Sequence, residues 1–388
     1  MKVAHVTTAA MSGEIQNGGA ERAVAELSSA LADEFGWDET VVAPAEYFAD
    51  RRLSPRVTRR PITLDAFSLR SALSPRGPLV QALKASDPDV VVAHGLRASI
   101  LAPCLARMHT RARVVAVLHN SLHDHDDVPG QPPVRAPMST RAFRMVGRHA
   151  VDAHVVISGP NEDDLIRKDS IPPELIHLIP NWVSERFDLE QARSARGECR
   201  VELGLKPTDR VIGVIGRMEE QKNQRMIIEL LPSIPDAKLM LVGSGKLRDE
   251  YQSLADRLGV SDRVLMPGFS IDPARVMASA DVIAMPSVFE GFGRVAIEAL
   301  AVGTPLVASD LETLREVLKD APNSAFTLLP LTDRAGWRKS LSGFLDRQIT
   351  NDERCGMAAF VVNNYSLELA VTRYDRLFRE ILGQSAAD

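Results

Sequence analysis

Two glutamates flank a glycine-rich turn in the second half of the chain. The segment reads Pro286-Ser-Val-Phe-Glu290-Gly-Phe-Gly293-Arg294-Val-Ala-Ile-Glu298. We predict that a strand ends before this turn and that a helix begins near Gly293, with Glu290 in the loop and Glu298 about one turn inside the helix. One carboxylate would then hold a diol and the other a second set of hydroxyls, while helix N–H groups meet a phosphate. The pattern suits a nucleotide sugar, although two unrelated glutamates at a helix start would look the same.

Positive charge follows the first strand of the second half. Gly216-Arg217 ends the predicted strand Val211 to Ile215, and Lys222 lies five residues further on. A guanidinium fork and an ammonium point charge at the mouth of a parallel sheet are what a diphosphate requires. A pair of solvated surface charges is the alternative.

Glycines also mark two other turns. Gly18 and Gly19 follow the first predicted strand and open an amphipathic helix, where the backbone can approach a phosphate. A plain tight loop explains that pair equally well. The segment Val242-Gly-Ser-Gly245 lacks the spacing of a phosphate loop, and we interpret it as a strand-to-helix turn.

Short β-branched apolar runs alternate with longer helical patterns, which predicts βαβ units and parallel sheets. The predicted strands are Lys2 to Thr7, Thr40 to Ala43, Val90 to His94, Val114 to His119, Ala153 to Ile157, Ile176 to Ile179, Val211 to Ile215, Lys238 to Val242, Val264 to Pro267, Val282 to Ala284 and Pro305 to Ala308. Two such sets, in a chain of 388 residues, predict an α/β protein of two doubly wound domains. We place them at residues 1–185, completed by a helix at 367–384, and at residues 186–366.

The composition is that of a soluble globular chain, with 45% hydrophobic and 25% charged residues. It excludes disordered and disulfide-scaffold classes, and a net charge of -5 gives no global attraction to nucleic acid. Three widely spaced cysteines without zinc spacing favour a reducing cytoplasm. The first residues read as a strand rather than a signal peptide, and no membrane-spanning run is predicted.

In the order of these motifs, the sequence resembles family 4 of the retaining glycosyltransferases over nearly its whole length. Further matching segments are Pro180-Asn-Trp-Val-Ser184, Val264-Leu-Met-Pro-Gly-Phe269 and the helix that follows Tyr365. The resemblance implies the GT-B fold, in which two Rossmann-like domains face each other across a cleft. It also implies retaining transfer of a hexosyl group from a UDP- or GDP-sugar to a hydroxyl of a glycan, a lipid-linked or a small-molecule acceptor. We expect a role in cell-envelope or exopolysaccharide assembly.

The resemblance also implies residue roles. Glu290 would contact the donor sugar, Arg217 and Lys222 would stabilise the diphosphate as its charge grows, and His119 would position the sugar, although a lone histidine at a strand end is more often structural. The leaving phosphate can accept the acceptor's proton, so no dedicated base is demanded. Donor binding is implied for Gly18, Gly19, Gly216, Met266, Gly268, Phe269, Phe292, Gly293, Arg294 and, at the ribose, Glu298.

We expect no metal and no cofactor beyond the nucleotide sugar as co-substrate, because Arg217 and Lys222 already compensate the diphosphate. The pair Asp124-x-Asp126 matches a carboxylate motif with which other glycosyltransferase folds hold a divalent ion. It precedes a proline-rich stretch rather than following a nucleotide-binding strand, and we interpret it as a solvated acidic loop.

Charge is uneven along the chain. Residues 47–149 carry 16 Lys and Arg against 7 Asp and Glu. We hypothesise that this region docks peripherally on anionic lipid at the inner face of the membrane; a solvated basic face is the alternative.

Two other functions stay open. One is a GT-B epimerase or phosphorylase, which would release or rearrange the sugar without an acceptor. The other is a catalytically silent protein that only binds sugar nucleotides.

Overall fold

Two parallel sheets organise the chain, because its strands are apolar on both faces and must be covered by helices on both sides. The computed structural model describes residues 1–7, 19–49, 53–63, 74, 76–120, 137–269 and 272–384. The chain folds into two units, one of Met1–Asn181 with Leu367–Asp388 and a second of Trp182–Ser366. The first unit ends four residues before the predicted residue 185.

Seven described strands form the sheet of the first unit, all parallel, in the order β3-β2-β1-β4-β5-β6-β7. They are β1 (Lys2–Thr7), β2 (Asp38–Pro44), β3 (Thr58–Ile62), β4 (Val90–His94), β5 (Arg113–Leu118), β6 (Ala153–Val156) and β7 (Ile176–Leu178). The helices of this unit are α1 (Gly19–Glu34), α2 (Pro78–Ser86), α3 (Leu96–His109), α4 (Pro137–His149), α5 (Gly159–Arg167) and, from the end of the chain, α15 (Leu367–Ile381).

Six described strands form the sheet of the second unit, again all parallel, in the order β10-β9-β8-β11-β12-β13. They are β8 (Arg210–Ile215), β9 (Ala237–Val242), β10 (Val264–Gly268), β11 (Val282–Met285), β12 (Leu306–Ser309) and β13 (Phe326–Leu329). Its helices are α6 (Leu189–Ser194), α7 (Arg196–Glu202), α8 (Gln224–Leu230), α9 (Arg248–Arg257), α10 (Pro273–Ser279), α11 (Arg294–Ala301), α12 (Glu312–Val317), α13 (Arg334–Asp346) and α14 (Asn351–Tyr365).

The predicted fold class of two doubly wound parallel sheets is confirmed. Every predicted strand is present, within one or two residues at its ends. Two strands at sheet edges were not predicted. β3 has the sequence Thr-Arg-Arg-Pro-Ile and is exposed in four of its five residues, because an edge strand faces water and tolerates charge and proline. β13 is only partly buried.

Both sheets reverse their strand order once. In the first sheet the reversal lies between β1 and β4, and in the second it lies between β8 and β11. Loops that leave the two strands at a reversal run in opposite directions and open a crevice, where ligands of doubly wound sheets bind. The loops after these four strands are therefore the ones that can position a site.

The last helix of the first unit packs on the first one. Trp37, just after α1, meets Phe378 of α15 at a ring-centroid distance of 6.0 Å, and the Arg379 guanidinium lies over the Trp37 ring. The apolar face of α15 is buried through Ala370, Val371, Tyr374 and Leu377. None of the helices in the described part of the chain is long and apolar enough to cross a membrane.

Two pairs of arginines from the described part of the basic stretch, residues 47–149, lie on different elements of the first unit. Arg59 and Arg60 lie exposed on the edge strand β3, whereas Arg141 and Arg148 lie on α4, which connects β5 to β6. Four strand spacings separate β3 from β5, about 19 Å at 4.8 Å per strand. These two pairs of arginines therefore lie on separate parts of the first unit.

Candidate active site

The loop after β8 bends sharply at Gly216, whose φ is +146°. A Cβ at this position would lie 3.4 Å from Cε of Lys222 and 3.5 Å from its Cδ and Cγ. The lysine stem therefore lies directly over the glycine. Lys222 ends a short 3-10 helix, Glu220–Lys222, that precedes α8.

Glycines of the next loop bring two backbones into contact. A Cβ on Gly243 would lie 2.1 Å from the carbonyl oxygen of Gly216, and one on Gly245 would lie 2.5 Å from that of Met218. The Met218 amide donates to the Ser244 carbonyl at 2.8 Å. The turn after β9 thus supports the loop after β8 and lies between a strand and a helix.

The turn after β11 has the predicted form. Gly293 precedes α11 in the left-handed conformation, with φ +88°, and the helix begins at Arg294. Glu290 lies in the loop and Glu298 in the helix, as predicted. Gln221 links this turn to the loop after β8, because its carbonyl accepts from the Val288 amide at 2.8 Å and its side chain donates to the Phe289 carbonyl at 3.1 Å.

Lys222 and Glu290 form an ion pair between the two loops at the strand reversal. Nζ of Lys222 donates to Oε1 of Glu290 at 2.6 Å, and the side chains are 17% and 8% exposed. Removing either partner from such a mostly buried pair leaves an uncompensated charge. The structure thus joins two residues that sequence reasoning assigned to different parts of the donor.

Arg217 extends from the same loop towards solvent. Its guanidinium lies 3.1 Å from Oε1 of Glu219, and its carbonyl accepts from the Gln224 side-chain amide at 2.7 Å. Gln224 is buried and accepts from the Tyr251 hydroxyl at 3.2 Å. Burial raises the pKa of Tyr251, so this hydroxyl stays a donor that fixes the Arg217 backbone.

Glu298 is the most enclosed of the predicted site residues. Its side chain is 1% exposed, and Oε1 lies 3.6 Å from Nε of Arg294, one helical turn earlier, whose side chain is 7% exposed. Phe292 is also buried and packs edge-on against the ring of Tyr365 at 5.6 Å. This packing anchors the glycine-rich turn to α14, which ends at Tyr365.

The residues predicted to line the base lie on the edge strand β10. Gly268 ends the strand with φ +88°, and its carbonyl accepts from the Gly243 amide at 2.9 Å. The Met266 carbonyl accepts from Arg248 at 3.1 Å. Phe269 follows and is 52% exposed. A half-exposed aromatic ring beyond the end of a strand is a surface on which a base can stack.

In the first unit, His119 ends a row of polar side chains on neighbouring strands. Nε2 of His119 lies 3.3 Å from Nδ1 of His94, and Nε2 of His94 lies 2.9 Å from Nδ1 of His5. Nε2 of His5 lies 2.9 Å from Oε2 of Glu39. Burial together with the His5 and His119 rings holds the pKa of His94 well below its ordinary value. Burial raises the pKa of Glu39, an effect that His5 opposes.

Other predictions concern residues of the first unit that are only partly described. Gly19 is the first residue of α1, whereas Gly18 lies outside the described residues. Asp124 and Asp126 lie outside them as well. Within the described ranges, no three His, Cys, Asp or Glu side chains are arranged to hold a metal ion.

The sequence predicted the loop residues of the site but not the side chains that hold them in place. The structure brings together Gly216, Lys222 and Glu290. The side chains of Gln221 and Gln224 were missed, since a glutamine near a helix start carries no distinctive signal. His5, His94 and Glu39 were also missed, although polar residues inside otherwise apolar parallel strands were a usable signal.

Two family models match the chain. The model described as Glycosyltransferase Family 4 matches residues 17–187, and the model described as Glycosyl transferases group 1 matches residues 196–328. The first match lies largely in the first unit and the second lies within the second unit.

Several glycosyltransferases are similar in sequence. A D-inositol 3-phosphate glycosyltransferase of Mycobacterium sp. (strain KMS) is 31% identical over 252 residues, which are 62% of this chain and 54% of that protein. An uncharacterized glycosyltransferase of Methanocaldococcus jannaschii is 29% identical over 216 residues, 54% of this chain and 53% of that protein. A 4-alpha-N-acetylgalactosaminyltransferase of Campylobacter jejuni, named for a diphospho-undecaprenol-linked acceptor, is 33% identical over 162 residues, 41% of this chain and 42% of that protein. The chain spans about half the length of the first two relatives.

Solved structures match over nearly the whole chain. Anabaena Alr3699/HepE in complex with UDP and glucose has a TM-score of 0.78 at 19% identity, covering 98% of this chain and 100% of that one. Sucrose-phosphate synthase from Thermosynechococcus elongatus has a TM-score of 0.79 at 22% identity, covering 99% of each chain. These likenesses show that the fold is GT-B.

The contact between the two glycine loops gives a stability prediction. We expect Gly243→Ala to lower the free energy of unfolding by about 2 kcal/mol, because its Cβ would meet the Gly216 carbonyl oxygen in a close-packed region. Gly259→Ala is the matched control, since φ there is +65° but no atom lies within 4 Å of the added Cβ. It should cost about 1 kcal/mol of backbone strain alone. Urea denaturation measures both, and equal losses would contradict the clash.

The ion pair gives a second prediction. Lys222→Met should lower the free energy of unfolding by about 3 kcal/mol, because it leaves the Glu290 carboxylate buried without its partner. Adding Glu290→Gln to that variant should recover part of the loss. As a control, Arg225→Met removes a partner of Glu250 in a pair whose side chains are 42% and 50% exposed, and should cost at most about 1 kcal/mol. If urea denaturation gave similar losses of unfolding free energy for the Lys222 and Arg225 variants, burial of the Lys222–Glu290 pair would not contribute to its effect on stability.

Proposed function

The chain belongs to the glycosyltransferases described as Family 4 and group 1, and from this premise we propose that it is a retaining glycosyltransferase. It moves a hexosyl group from a nucleoside diphosphate sugar to an acceptor hydroxyl. The observation that carries the proposal is the Lys222–Glu290 pair, which joins the two loops at the β8–β11 reversal beside the first residue of α11.

The leaving diphosphate is the group that most needs stabilisation, because its charge grows as the glycosidic bond breaks. An ammonium has three N–H donors. Lys222 uses one of them for Glu290, and the other two can donate to phosphate oxygens. Arg217 adds a guanidinium fork from the same loop. The first amides of α11 add donors at the positive end of a helix dipole. These groups supply the charge compensation that a divalent metal provides elsewhere, which supports a metal-independent reaction.

The sugar and the nucleoside are uncharged, so they are recognised by hydrogen bonds and by stacking. Glu290 accepts from Lys222 through Oε1, and its other carboxylate oxygen can accept from sugar hydroxyls. We assign Glu298 to the ribose and Phe269 to the base. The half-exposed Phe269 ring supports its assignment, whereas Glu298 is enclosed and reaches a ribose only after a small shift of its helix or of its Arg294 partner.

In a retaining transfer the acceptor attacks the face from which the leaving group departs. The departing phosphate oxygen can then take the acceptor's proton, and no separate base is required. We assign His119 to a hydrogen bond that positions the donor sugar. Its test is the loss of turnover in His119→Asn.

The acceptor is a hydroxyl of a glycan, a lipid-linked sugar or a small molecule. Names of the relatives support both of the latter classes, an inositol phosphate in one and a diphospho-undecaprenol-linked sugar in another. We propose that the product belongs to the cell envelope or an exopolysaccharide.

Donor binding and donor turnover, measured in that order, test the proposed function. We expect one UDP- or GDP-sugar from a thermal-shift panel to raise the melting temperature, because a ligand that binds only the native state stabilises it by mass action. UDP-glucose enters the panel first, because Alr3699/HepE was solved with it. Turnover of that donor only with an acceptor present supports transfer; turnover without acceptor indicates an epimerase or phosphorylase, and binding without turnover indicates a silent protein.

Substitutions of Glu290 and Asp124 test which carboxylate contacts the donor. Glu290→Ala should lower kcat/KM for the donor by roughly 100-fold or more, because it removes a sugar contact and the partner of Lys222. Asp124→Ala, in the segment that we interpret from the sequence as a solvated acidic loop, should change it less than about twofold. Equal effects of the two substitutions would contradict the assignment.

We also propose that the first unit docks on anionic membrane. Helices α3 and α4 pack on each other and expose Met108 and Met145, which are 66% and 62% exposed. Arg148 of α4 donates to the Ser170 carbonyl, a neutral acceptor that does not cancel the arginine's charge. Apolar side chains beside arginines are the composition with which a helix surface meets anionic lipid.

Vesicle co-sedimentation tests the docking. We expect binding to phosphatidylglycerol vesicles at low salt, and Arg141→Ala with Arg148→Ala should weaken it roughly 30-fold, because each of the two charges is worth about 1 kcal/mol. The control is Arg59→Ala with Arg60→Ala, which removes the same charge from the edge strand β3. No binding at low salt, or equal weakening by both pairs, would remove this proposal.

A further inference from the structure

A buried carboxylate and two buried histidines lie in one row with His119. The row crosses four neighbouring strands, from Glu39 on β2 through His5 on β1 and His94 on β4 to His119 just after β5. Glu39, His5 and His94 are almost completely buried, and His119 is partly exposed. A proposed site role exists only for His119, so the other three groups require an explanation.

Strand register produces the row. Glu39 pairs with Val3, two residues before His5, and His94 pairs with Thr7, two residues after His5. His119 lies two residues beyond Val117, which pairs with His94. A step of two residues keeps the side chain on the same face of a strand. Each member therefore lies one strand over and two residues closer to the carboxyl edge, on a diagonal that ends at His119.

The rings are aligned for hydrogen bonds. Planes of His5 and His94 differ by 23°, and those of His94 and His119 by 17°. In nearly coplanar imidazoles an N–H can point at the lone pair of the next ring, at the N···N distances of 2.9 and 3.3 Å. Nε2 of His5 lies 2.9 Å from Oε2 of Glu39, a distance at which the two groups form an ion pair when His5 is protonated.

Proton counting then determines the state of His119. We assign one proton to each of the three contacts. With only those three protons the row carries one negative charge, which burial disfavours. Neutrality requires a fourth proton, and the one ring nitrogen outside the three contacts is Nδ1 of His119. If His94 and His119 are each neutral rings, Nε2 of His119 accepts from His94.

We propose that Glu39, His5 and His94 are positioning residues that hold His119 as the Nδ1–H tautomer, with Glu39 as the buried counter-ion of the row. The same row can move positive charge without taking up a proton. If His5 Nδ1 passes its proton to His94 Nε2, and His94 Nδ1 passes its own to His119 Nε2, the cation moves from His5 to His119. Negative charge that develops near His119 would favour that shift, a consequence that rests on the proposed function.

Nuclear magnetic resonance of ring nitrogens tests the tautomer without any substrate. In protein labelled with 15N-histidine, long-range 1H–15N correlations separate the two neutral tautomers, and His119→Asn identifies the His119 signals. We expect Nδ1–H in the wild-type chain. Nε2–H, the form that isolated neutral imidazole prefers in water, would overturn the proposal, and this measurement needs no destabilised variant.

Variants then test each member of the row. Glu39→Met and His94→Leu should shift His119 towards Nε2–H. His154→Leu is the control, because His154 is a fully buried histidine of the same sheet that contacts the Gly147 carbonyl instead of the row. An unchanged His119 tautomer in a Glu39 or His94 variant that keeps its native circular dichroism would contradict the proposal.

Donor turnover separates this proposal from the proposed function. Glu39→Met should lower kcat roughly 10- to 100-fold, as loss of an outer partner does at other sites, with KM little changed. Adding it to His119→Asn should cause no further loss, because both act through one ring. If the tautomer is as expected but His119→Asn leaves turnover intact, the row stands and the assignment of His119 to the sugar fails.

Discussion

In a parallel sheet that is covered on both faces, polar chemistry has one natural location, the carboxyl edge at which the strands end. A reversal of strand order opens that edge, and each unit has one reversal, at β1–β4 and at β8–β11. Both groups of candidate residues follow from this constraint. Lys222 and Glu290 are on loops that leave β8 and β11, and the histidine row crosses β1 and β4 before it ends beside β5.

The two groups use the constraint differently. At the β8–β11 reversal the charges are on loops, and the position of those loops depends on backbone contact between Gly216 and Gly243. Because these positions have no side chains, the loop after β8 packs directly on the turn after β9. On its other side the same loop is held to the turn after β11 by Gln221 and by the Lys222–Glu290 pair. At β1–β4 the polar groups are within the strands themselves, where hydrogen-bonded register, not loop shape, sets their spacing. The first arrangement can adjust to a ligand, whereas the second is as rigid as the sheet.

This difference explains what could be predicted from sequence. Apolar β-branched runs predicted eleven strands, including the partly exposed edge strands β7 and β10. They missed β3, whose sequence Thr-Arg-Arg-Pro-Ile has no such run, and β13, which has four residues that are all only partly buried. The turn from Glu290 to Glu298 was predicted because its glycines and carboxylates are contiguous in sequence. The row of Glu39, His5 and His94 was missed because its members are far apart in the chain, and only the register of two strand pairs aligns them. The basic stretch was interpreted as one region because its charge was summed along the sequence, whereas Arg59 and Arg60 lie on β3 and Arg141 and Arg148 lie on α4.

Burying Glu39, His5 and His94 has a stability cost that bears on how the row should be interpreted. Apolar residues at these positions would satisfy a doubly covered sheet and would avoid desolvating an acid and two imidazoles. A purely structural role would be met as well by valine or leucine, which fill the neighbouring strand positions. The row also has a direction: its charged end is the most buried and its other end is the partly exposed His119. A purely structural polar cluster does not need to end at the carboxyl edge. Residues that fix the tautomer of His119 must reach that edge, because His119 lies there.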